Sequence, residues 1–368
     1  MRVLRLWGDS FERRELLRRV GGLEQVAGVR LVTLGDGNER GVRVLEFRTG
    51  TGFEFDVLVD RAFDIGRCEL VGKAIGWHSG VGFGGPWFEE HDLLGWLRNW
   101  GGGLLTTCGL DHALFGAVDS AEQYHYEAKQ TESFGLHGRV SNRPARLAGY
   151  GQRWDGDECT LWAEGEVLQA SMFGEHLLLR RRVEAKVGES RFTIHDEIEN
   201  VGWDPTPHMY LYHINISFPV VDDGAELLVP TRSVSPRGDY SAEDYRTLDA
   251  PEPRHFERAY EHDVIPETDG RVPVGIVNRA RGIGAYEVFN VRQLPIHFVW
   301  RMLGEGSYVV GIEPSTNHTT GRMDAKERGE LITLQLGETR VYDLELGALD
   351  GTAEIDTFAT RVAALGGV

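Results

Sequence analysis

Cysteine, long hydrophobic runs and clustered positive charge are all scarce in this chain. Its three cysteines, Cys68, Cys108 and Cys159, are too few and too scattered for a disulfide framework or a zinc site with paired cysteines. No stretch approaches the roughly 20 apolar residues that a membrane-spanning helix needs. Residues 1–7 carry arginines but no apolar run, so we expect no secretion signal and a cytoplasmic location.

Positive charge is outweighed throughout the chain. The 57 acidic residues exceed the 39 lysines and arginines, which gives a formal net charge of −18. Residues 180–182 are the one short run of arginines that interrupts this excess. Such a chain repels phosphate backbones and anionic membrane surfaces, so neither a nucleic acid nor a membrane is an expected partner.

What is present is a series of short segments in which apolar and polar residues alternate. Residues 53–57, 192–194 and 341–346 follow this period of two, and Gly, Asp or Asn bounds each of them. Regular helices do not separate them, which favours antiparallel sheets over a doubly wound arrangement. We predict an all-β sandwich with a few short helices, folded as one domain over residues 1–368.

The first helix is predicted near the start of the chain, as an extension over about residues 9–20. Asp9 and Ser10 are suitable caps for a helix from Phe11 onwards, and Leu16, Leu17 and Val20 then share one side.

Residues 76–103 are rich in glycine and contain four tryptophans. Pro86 suits the first turn of a helix that runs to about Trp100. Its apolar stripe would consist of Phe88, Leu93, Trp96 and Leu97. Two interpretations stay open: a helix packed over the end of a sheet, or a wall on which one tryptophan stacks against a sugar ring.

Nucleotide-binding motifs are absent or out of context. Gly80, Gly82 and Gly85 fit G-x-G-x-x-G, but His78 and Ser79 precede them where a buried strand is required. Neither a Walker loop nor a G-x-S-x-G elbow is present.

Residues 135–139 place a histidine between two glycines. On an extended chain His137 and Arg139 point the same way, as a donor pair suited to hydroxyls or a carboxylate. An ordinary loop histidine is the alternative.

Residues 209–219 alternate so as to form two different faces. One face carries the apolar side chains Tyr210, Tyr212, Ile214, Ile216 and Phe218. The other carries His213, Asn215 and Ser217, which is the layout of a binding strand and equally that of a solvated sheet face.

Residues 308–317 begin with an apolar run, which ends at Glu313 and Pro314. Because proline removes a ladder donor, we expect Glu313 where the strand leaves the sheet, a suitable place for a general base. A surface glutamate at a strand end is the alternative.

Together these segments resemble the galactose mutarotase (aldose 1-epimerase) superfamily, in particular its branch of uncharacterised domains of unknown function. The resemblance covers about residues 30–347. It rests on the run at residues 60–65, the glycine-rich run at 101–109, Leu-His-Gly-Arg at 136–139, Tyr-His-x-Asn at 212–215, Gly-x-Glu-Pro at 311–314 and the terminal turn at 336–339.

This resemblance implies a β-supersandwich and a carbohydrate substrate. Glu313 matches the base of true mutarotases, His213 the acid, and His137 a second histidine that binds the sugar. Mutarotases proper continue after the acid histidine with Pro-Tyr-Phe-Asn, whereas residues 214–217 here read Ile-Asn-Ile-Ser. That departure concerns the pocket and the reaction more than the fold.

The chemistry implied is reversible ring opening at the anomeric carbon, which requires no cofactor. A protonated histidine would need a carboxylate nearby, and Asp60, Asp64 and Asp111 are candidates. The predicted substrate-binding residues are Arg61, Arg139, Asn215, Trp300, Asp60 and Asp64.

Alternatives to mutarotation stay open. A different sugar isomerase, epimerase or lyase could use the same scaffold, as could a non-catalytic carbohydrate sensor. Arg139 beside His137 favours an acidic sugar. The thirteen histidines show no H-E-x-x-H spacing, so no metal is predicted. A homodimer is left open.

Overall fold

Strands dominate the structure. The computed structural model describes residues 4–90 and 93–367. The strands are β1 Leu4–Leu6, β2 Asp9–Phe11, β3 Gly28–Thr33, β4 Arg43–Arg48, β5 Phe53–Leu58, β6 Asp64–Leu70, β7 Lys73–Ala74, β8 Trp77–His78, β9 Gly102–Gly103, β10 Leu105–Cys108, β11 Ala117–Ser120, β12 Thr131–Phe134, β13 Arg146–Asp155, β14 Glu158–Ala170, β15 His176–Lys186, β16 Arg191–Asn200, β17 Thr206–His208, β18 Leu211–Ser217, β19 Glu226–Leu228, β20 Thr231–Pro236, β21 Arg258–Val264, β22 Arg271–Asn278, β23 Ile283–Asn290, β24 Ile296–Gly304, β25 Ser307–Ser315, β26 Ile332–Leu334 and β27 Thr339–Asp350. The α-helices are α1 Arg13–Leu17, α2 Arg322–Glu327 and α3 Gly351–Ala363.

Two large antiparallel sheets form the body of the protein. The larger sheet has the order β20-β21-β24-β25-β18-β10-β6-β5-β4-β3, with β7 paired to β6, and the smaller has the order β13-β14-β15-β16-β27-β23-β22-β19. Alternate side chains of both sheets meet in one buried cluster that includes Phe55, Phe192, Tyr212 and Leu344. The predicted antiparallel sandwich with few helices is confirmed.

The three strands predicted from alternation are all present. Residues 53–57 lie in β5, 192–194 in β16 and 341–346 in β27. Their apolar positions face the neighbouring sheet: the rings of Phe55 and Phe192 stack with centroids 4.2 Å apart. Alternation identifies these strands because one of their faces is buried and the other is partly exposed.

The N-terminal helix is shorter than predicted. Residues 9–11 form β2, which pairs with β1, and the helix α1 spans only Arg13–Leu17. Of its apolar residues Leu16 is buried, whereas Leu17 is exposed. The prediction over residues 9–20 was wrong because ladder pairing of Ser10 and Phe11 with β1 takes them out of the helix.

The predicted helix over residues 86–100 is also wrong. The structure has two short 3₁₀ turns, Pro86–Phe88 and Gly95–Arg98, and His91 and Asp92 lie outside the described residues. Tertiary hydrogen bonds fix this segment: the indole of Trp96 donates to Ser141 and that of Trp100 donates to Thr106. Such bonds hold the tryptophans individually, so no continuous helix is needed to bury them.

Strands β18 and β25 are neighbours at the centre of the larger sheet. Tyr210, Tyr212, Ile214 and Ile216 face the core between the sheets, as alternation predicts. Phe218 was expected on the same face but is about half exposed, because β18 ends one residue earlier at Ser217. The opposite, outer face of this sheet carries the candidate site.

Candidate active site

His213 and Glu313 are cross-strand neighbours on the outer face of the larger sheet. Leu211 is opposite Ser315 and Ile214 is opposite Ile312, so the same register sets His213 opposite Glu313. Their Nε2 and Oε1 atoms lie 3.4 Å apart. Directly opposed side chains of antiparallel strands come this close without any bend in the chain. Glu313 therefore lies within β25, two residues before its end, and not at the point where the strand leaves the sheet.

Both side chains line a cavity of about 330 Å³. Its other polar side chains are His137, Arg237 and Glu257, and its aromatic walls include Trp96, Trp100 and Trp300. The volume falls in the range of small-molecule sites, which lies at roughly 300 to 1,000 Å³. Of the predicted site residues, the structure brings four to this cavity: His137, His213, Trp300 and Glu313.

Burial controls the charge of the central pair. It lowers the pKa of His213 to about 4, against an opposing contribution from the neighbouring Asn215 amide. It also raises the pKa of Glu313 well above its usual value, while Arg237 acts in the opposite direction. Low dielectric disfavours both charged forms, so burial favours a neutral imidazole beside a protonated carboxyl group.

His137 reaches the cavity from a tight turn and not from an extended strand. Its φ is 58°, and Gly138 follows with φ 75°. A Cβ at residue 138 would lie 2.2 Å from the carbonyl oxygen of His112, so only glycine fits there. The His137 ring lies 5.4 Å from the His213 ring, and burial lowers the pKa of His137 well below its usual value.

Arg139 does not share this cavity, so the predicted pairing with His137 was wrong. The turn directs its guanidinium to Glu132 at 2.6 Å and to Asp111 at 3.4 Å. It lines a neighbouring depression of about 240 Å³ beyond Trp96. The extended conformation assumed from the sequence would have aligned the two side chains, and the left-handed residues at 137 and 138 separate them.

Arg61 and Asp60 stabilise the scaffold. The buried Arg61 guanidinium donates to the carbonyl oxygens of Gly84, Asn99 and Ser141, and burial lowers its pKa to about 10. Asp60 accepts hydrogen bonds from the backbone and side chain of Arg43. Neither lines the cavity, so the structure gives both a structural position and not the predicted one at the substrate.

Asp64 lies in the core between the two sheets. It accepts hydrogen bonds from Thr107 and from Arg181, which also bonds Asp196. Asp196 accepts hydrogen bonds from the hydroxyl groups of Tyr210 and Tyr212. This network lies behind His213 and fixes β18 from the core side, which gives Asp64 a structural position and not one at the substrate.

Asn215 is directed to the backbone. Its amide donates to the carbonyl oxygens of Gly103 and His213, so it holds β18 beside the glycine-rich run and does not line the cavity. Asp111 bonds Gln169 and Arg139. None of the three aspartates proposed to keep His213 protonated contacts it among the described residues, and the carboxylate beside it is Glu313.

Sequence reasoning missed Arg237 and Glu257 at the mouth of the cavity. Arg237 lies just after β20, and its guanidinium donates to Glu257 at 2.6 Å. Glu257 also accepts the indole N–H of Trp300 at 2.8 Å. Neither residue stands in a recognisable motif, so only the folded chain places this ion pair at the site.

Two negative observations concern the part of the chain that the structure describes. In residues 4–90 and 93–367 no group of three or more His, Cys, Asp or Glu side chains is placed to hold a metal ion. None of the helices in those ranges combines the length and the apolar character needed to cross a membrane.

Solved structures share this fold at low sequence identity. A candidate aldose 1-epimerase from Klebsiella pneumoniae subsp. pneumoniae aligns with TM-score 0.84 and 23% identity, over 94% of this chain and 91% of that one. A galactose mutarotase-like protein from Clostridium acetobutylicum aligns with TM-score 0.59 and 11% identity, over 88% of this chain and 98% of that one. A galactose 1-epimerase from Lactobacillus acidophilus aligns with TM-score 0.57 and 12% identity, over 88% of this chain and 99% of that one. The galactose mutarotase-like fold predicted from the sequence is confirmed.

Sequence comparison gives the family. No protein of curated function matches the chain. The model of the family described as domain of unknown function DUF4432 matches residues 39–348, which span all the strands of the site. The chain therefore belongs to the DUF4432 family, an uncharacterised branch with the galactose mutarotase-like fold.

Proposed function

We propose that this protein is an aldose 1-epimerase-like isomerase that interconverts the anomers of a free sugar. One observation carries the proposal: His213 and Glu313 oppose each other at 3.4 Å inside a cavity sized for a small ligand. The two oxygens that exchange protons in anomer interconversion are both bonded to C1, so an acid and a base that are close neighbours suit the reaction.

The reaction needs two proton transfers and no redox step. One member of the pair takes the proton of the C1 hydroxyl, the C1–O5 bond breaks as the C1=O1 bond forms, and the other member protonates O5. Rotation about C1–C2 and the reverse steps give the other anomer. General acid–base catalysis of this kind contributes typically 10²- to 10⁴-fold.

The protonation state of the pair supports both directions of reaction. Burial favours a neutral His213 and a protonated Glu313 in the free pair, so His213 accepts the first proton and Glu313 donates one, the reverse of the roles that the resemblance implies. Whichever residue donates, the pair is left with the opposite arrangement once both transfers are complete. Recruiting Asp60, Asp64 or Asp111 to charge His213 is unnecessary, since Glu313 is adjacent.

Exchange NMR on a panel of aldoses tests the proposal. The wild-type protein is expected to speed the exchange between α and β anomer signals without forming a new product. Glu313→Gln should abolish most of the acceleration while the unfolding temperature stays close to that of the wild type. Appearance of a new product would favour another isomerase or a lyase. Sugar binding without turnover in the wild-type protein would favour a sensor.

A further inference from the structure

The walls of the cavity are poor in groups that bind hydroxyls. Besides the tryptophans, seven apolar side chains line it: Leu94, Leu97, Leu114, Phe115, Leu136, Ala259 and Phe298. They lie on the outer 3₁₀ segment, the loop before β11, the turn that carries His137, and strands β21 and β24. A sugar ring that reaches His213 and Glu313 therefore meets apolar side chains along much of its edge.

The tryptophans do not add polar contacts. Each indole N–H in the cavity is already donated to the protein: Trp96 to Ser141, Trp100 to Thr106 and Trp300 to Glu257. These indoles offer the substrate only their carbon faces and edges. Such surfaces stack well on C–H groups and cannot satisfy a hydroxyl.

Few polar side chains are left for the rest of the sugar. With His213 and Glu313 engaged at C1, the described residues of the cavity offer His137 and the Arg237–Glu257 pair. His137 has a buried Nδ1 without a hydrogen-bond partner. A fully hydroxylated hexopyranose has four hydroxyls beyond C1. A hydroxyl that faces the apolar wall loses its hydrogen bonds to water and gains none to the protein, which is unfavourable.

We infer that the substrate is a deoxy sugar, an aldose with a C–H or methyl group in place of at least one hydroxyl. This inference rests on the proposed function. In such a substrate the missing hydroxyl faces the leucine and phenylalanine wall, while His137 and the Arg237–Glu257 pair bind those that remain. An unpaired buried hydroxyl should weaken kcat/KM for the parent sugar by about tenfold or more.

The test compares sugars that differ by one hydroxyl. Suitable pairs are galactose and 6-deoxygalactose, glucose and 2-deoxyglucose, and ribose and 2-deoxyribose, with kcat/KM for anomer exchange measured by NMR. A deoxy member that exceeds its parent about tenfold or more supports the inference, and the pair showing it locates the apolar wall. Parents equal to or better than their deoxy partners in every pair would overturn it and leave the proposed function intact.

A matched pair of variants ties the preference to the wall. Leu97→Asn places an amide in the cavity and is expected to reduce the deoxy preference several-fold by improving the parent sugar. Leu93→Asn alters another exposed leucine of the same segment that does not line the cavity, and should leave the ratio unchanged. Equal ratios in wild type and Leu97→Asn would contradict the role given to this wall.

A protein that accelerates no exchange would refute the proposed function without deciding the inference. Tryptophan fluorescence then measures the affinity for each sugar directly, since three tryptophans line the cavity. Tighter binding of a deoxy member supports the inference. Equal binding, tighter binding of the parents, or no binding of any sugar overturns it.

Discussion

Among the residues that the structure describes are two buried glutamate–histidine pairs whose surroundings differ. Glu313 and His213 lie 3.4 Å apart on the outer face of the larger sheet, and Glu287 and His297 lie 2.9 Å apart between the two sheets. In both pairs burial raises the pKa of the glutamate well above its usual value. It lowers that of the histidine, to about 4 in His213 and about 3 in His297.

The difference lies in access. The side chains of Glu287 and His297 have no exposed surface, and the His297 ring stacks on Phe289 with centroids 5.3 Å apart. Glu313 and His213 are almost as buried but border a cavity. The same pair of residue types with the same shifts is thus structural in one place and available to a ligand in the other. A perturbed pKa alone does not distinguish them.

The largest expected effect is on kcat, which should fall when the outer pair is changed and not when the inner pair is changed. Glu313→Gln should lower kcat for anomer exchange by about 10²- to 10⁴-fold, because the amide cannot exchange a proton with the sugar. Glu287→Gln should leave kcat within about twofold, since Glu287 does not line the cavity and the amide has nearly the same shape as the carboxyl group. Exchange NMR measures both variants. Equal losses in the two would remove the distinction between the pairs.

Stability should separate the pairs in the opposite sense. His297→Ala removes a ring from the core and leaves the Glu287 carboxyl group without its partner, and we expect the free energy of unfolding to fall by ~2–4 kcal/mol. His213→Ala enlarges an existing cavity and should cost less than half as much. Chemical denaturation of the two variants measures this. A larger loss in His213→Ala would mean that the outer pair is the structural one.

Gly311 sharpens the comparison by steric means. A Cβ at this position would lie 2.2 Å from Oε1 of Glu313, so Gly311→Ala must displace the carboxylate. Moving a catalytic group by about 1 Å is expected to lower kcat/KM by about 10- to 100-fold. Gly284→Ala, in β23 of the smaller sheet, is a control for adding a methyl group to a packed strand. Activity should survive that control.

The pH dependence of kcat/KM should follow the outer pair. Below pH ~4 His213 gains a proton and stops accepting one, so kcat/KM is expected to fall about tenfold for each further pH unit. As the pH rises through the raised pKa of Glu313, the carboxyl group loses its proton and activity falls again, above the usual carboxylate range. Glu287→Gln should leave this profile unchanged. A profile with no acid limb would contradict the acceptor role of His213.

Alternation and short motifs carried the sequence predictions that were confirmed. A strand with one buried face shows its period in adjacent residues, so β5, β16 and β27 could be located without any tertiary information. The conformation of residues 86–100, where a helix was predicted, could not be judged in this way. The tryptophans of this segment are held by Ser141 and Thr106, and the bond to Ser141 spans 45 residues.

The sequence by itself determined that the chain is an antiparallel sandwich and that His213 points away from its core. Only the tertiary structure decided which groups surround that histidine. It set Glu313 opposite His213 through the register of β18 and β25, and it turned Arg139 away and brought in Arg237. The physical reason is that alternation is a local property, whereas register and loop placement depend on contacts between residues far apart in the chain.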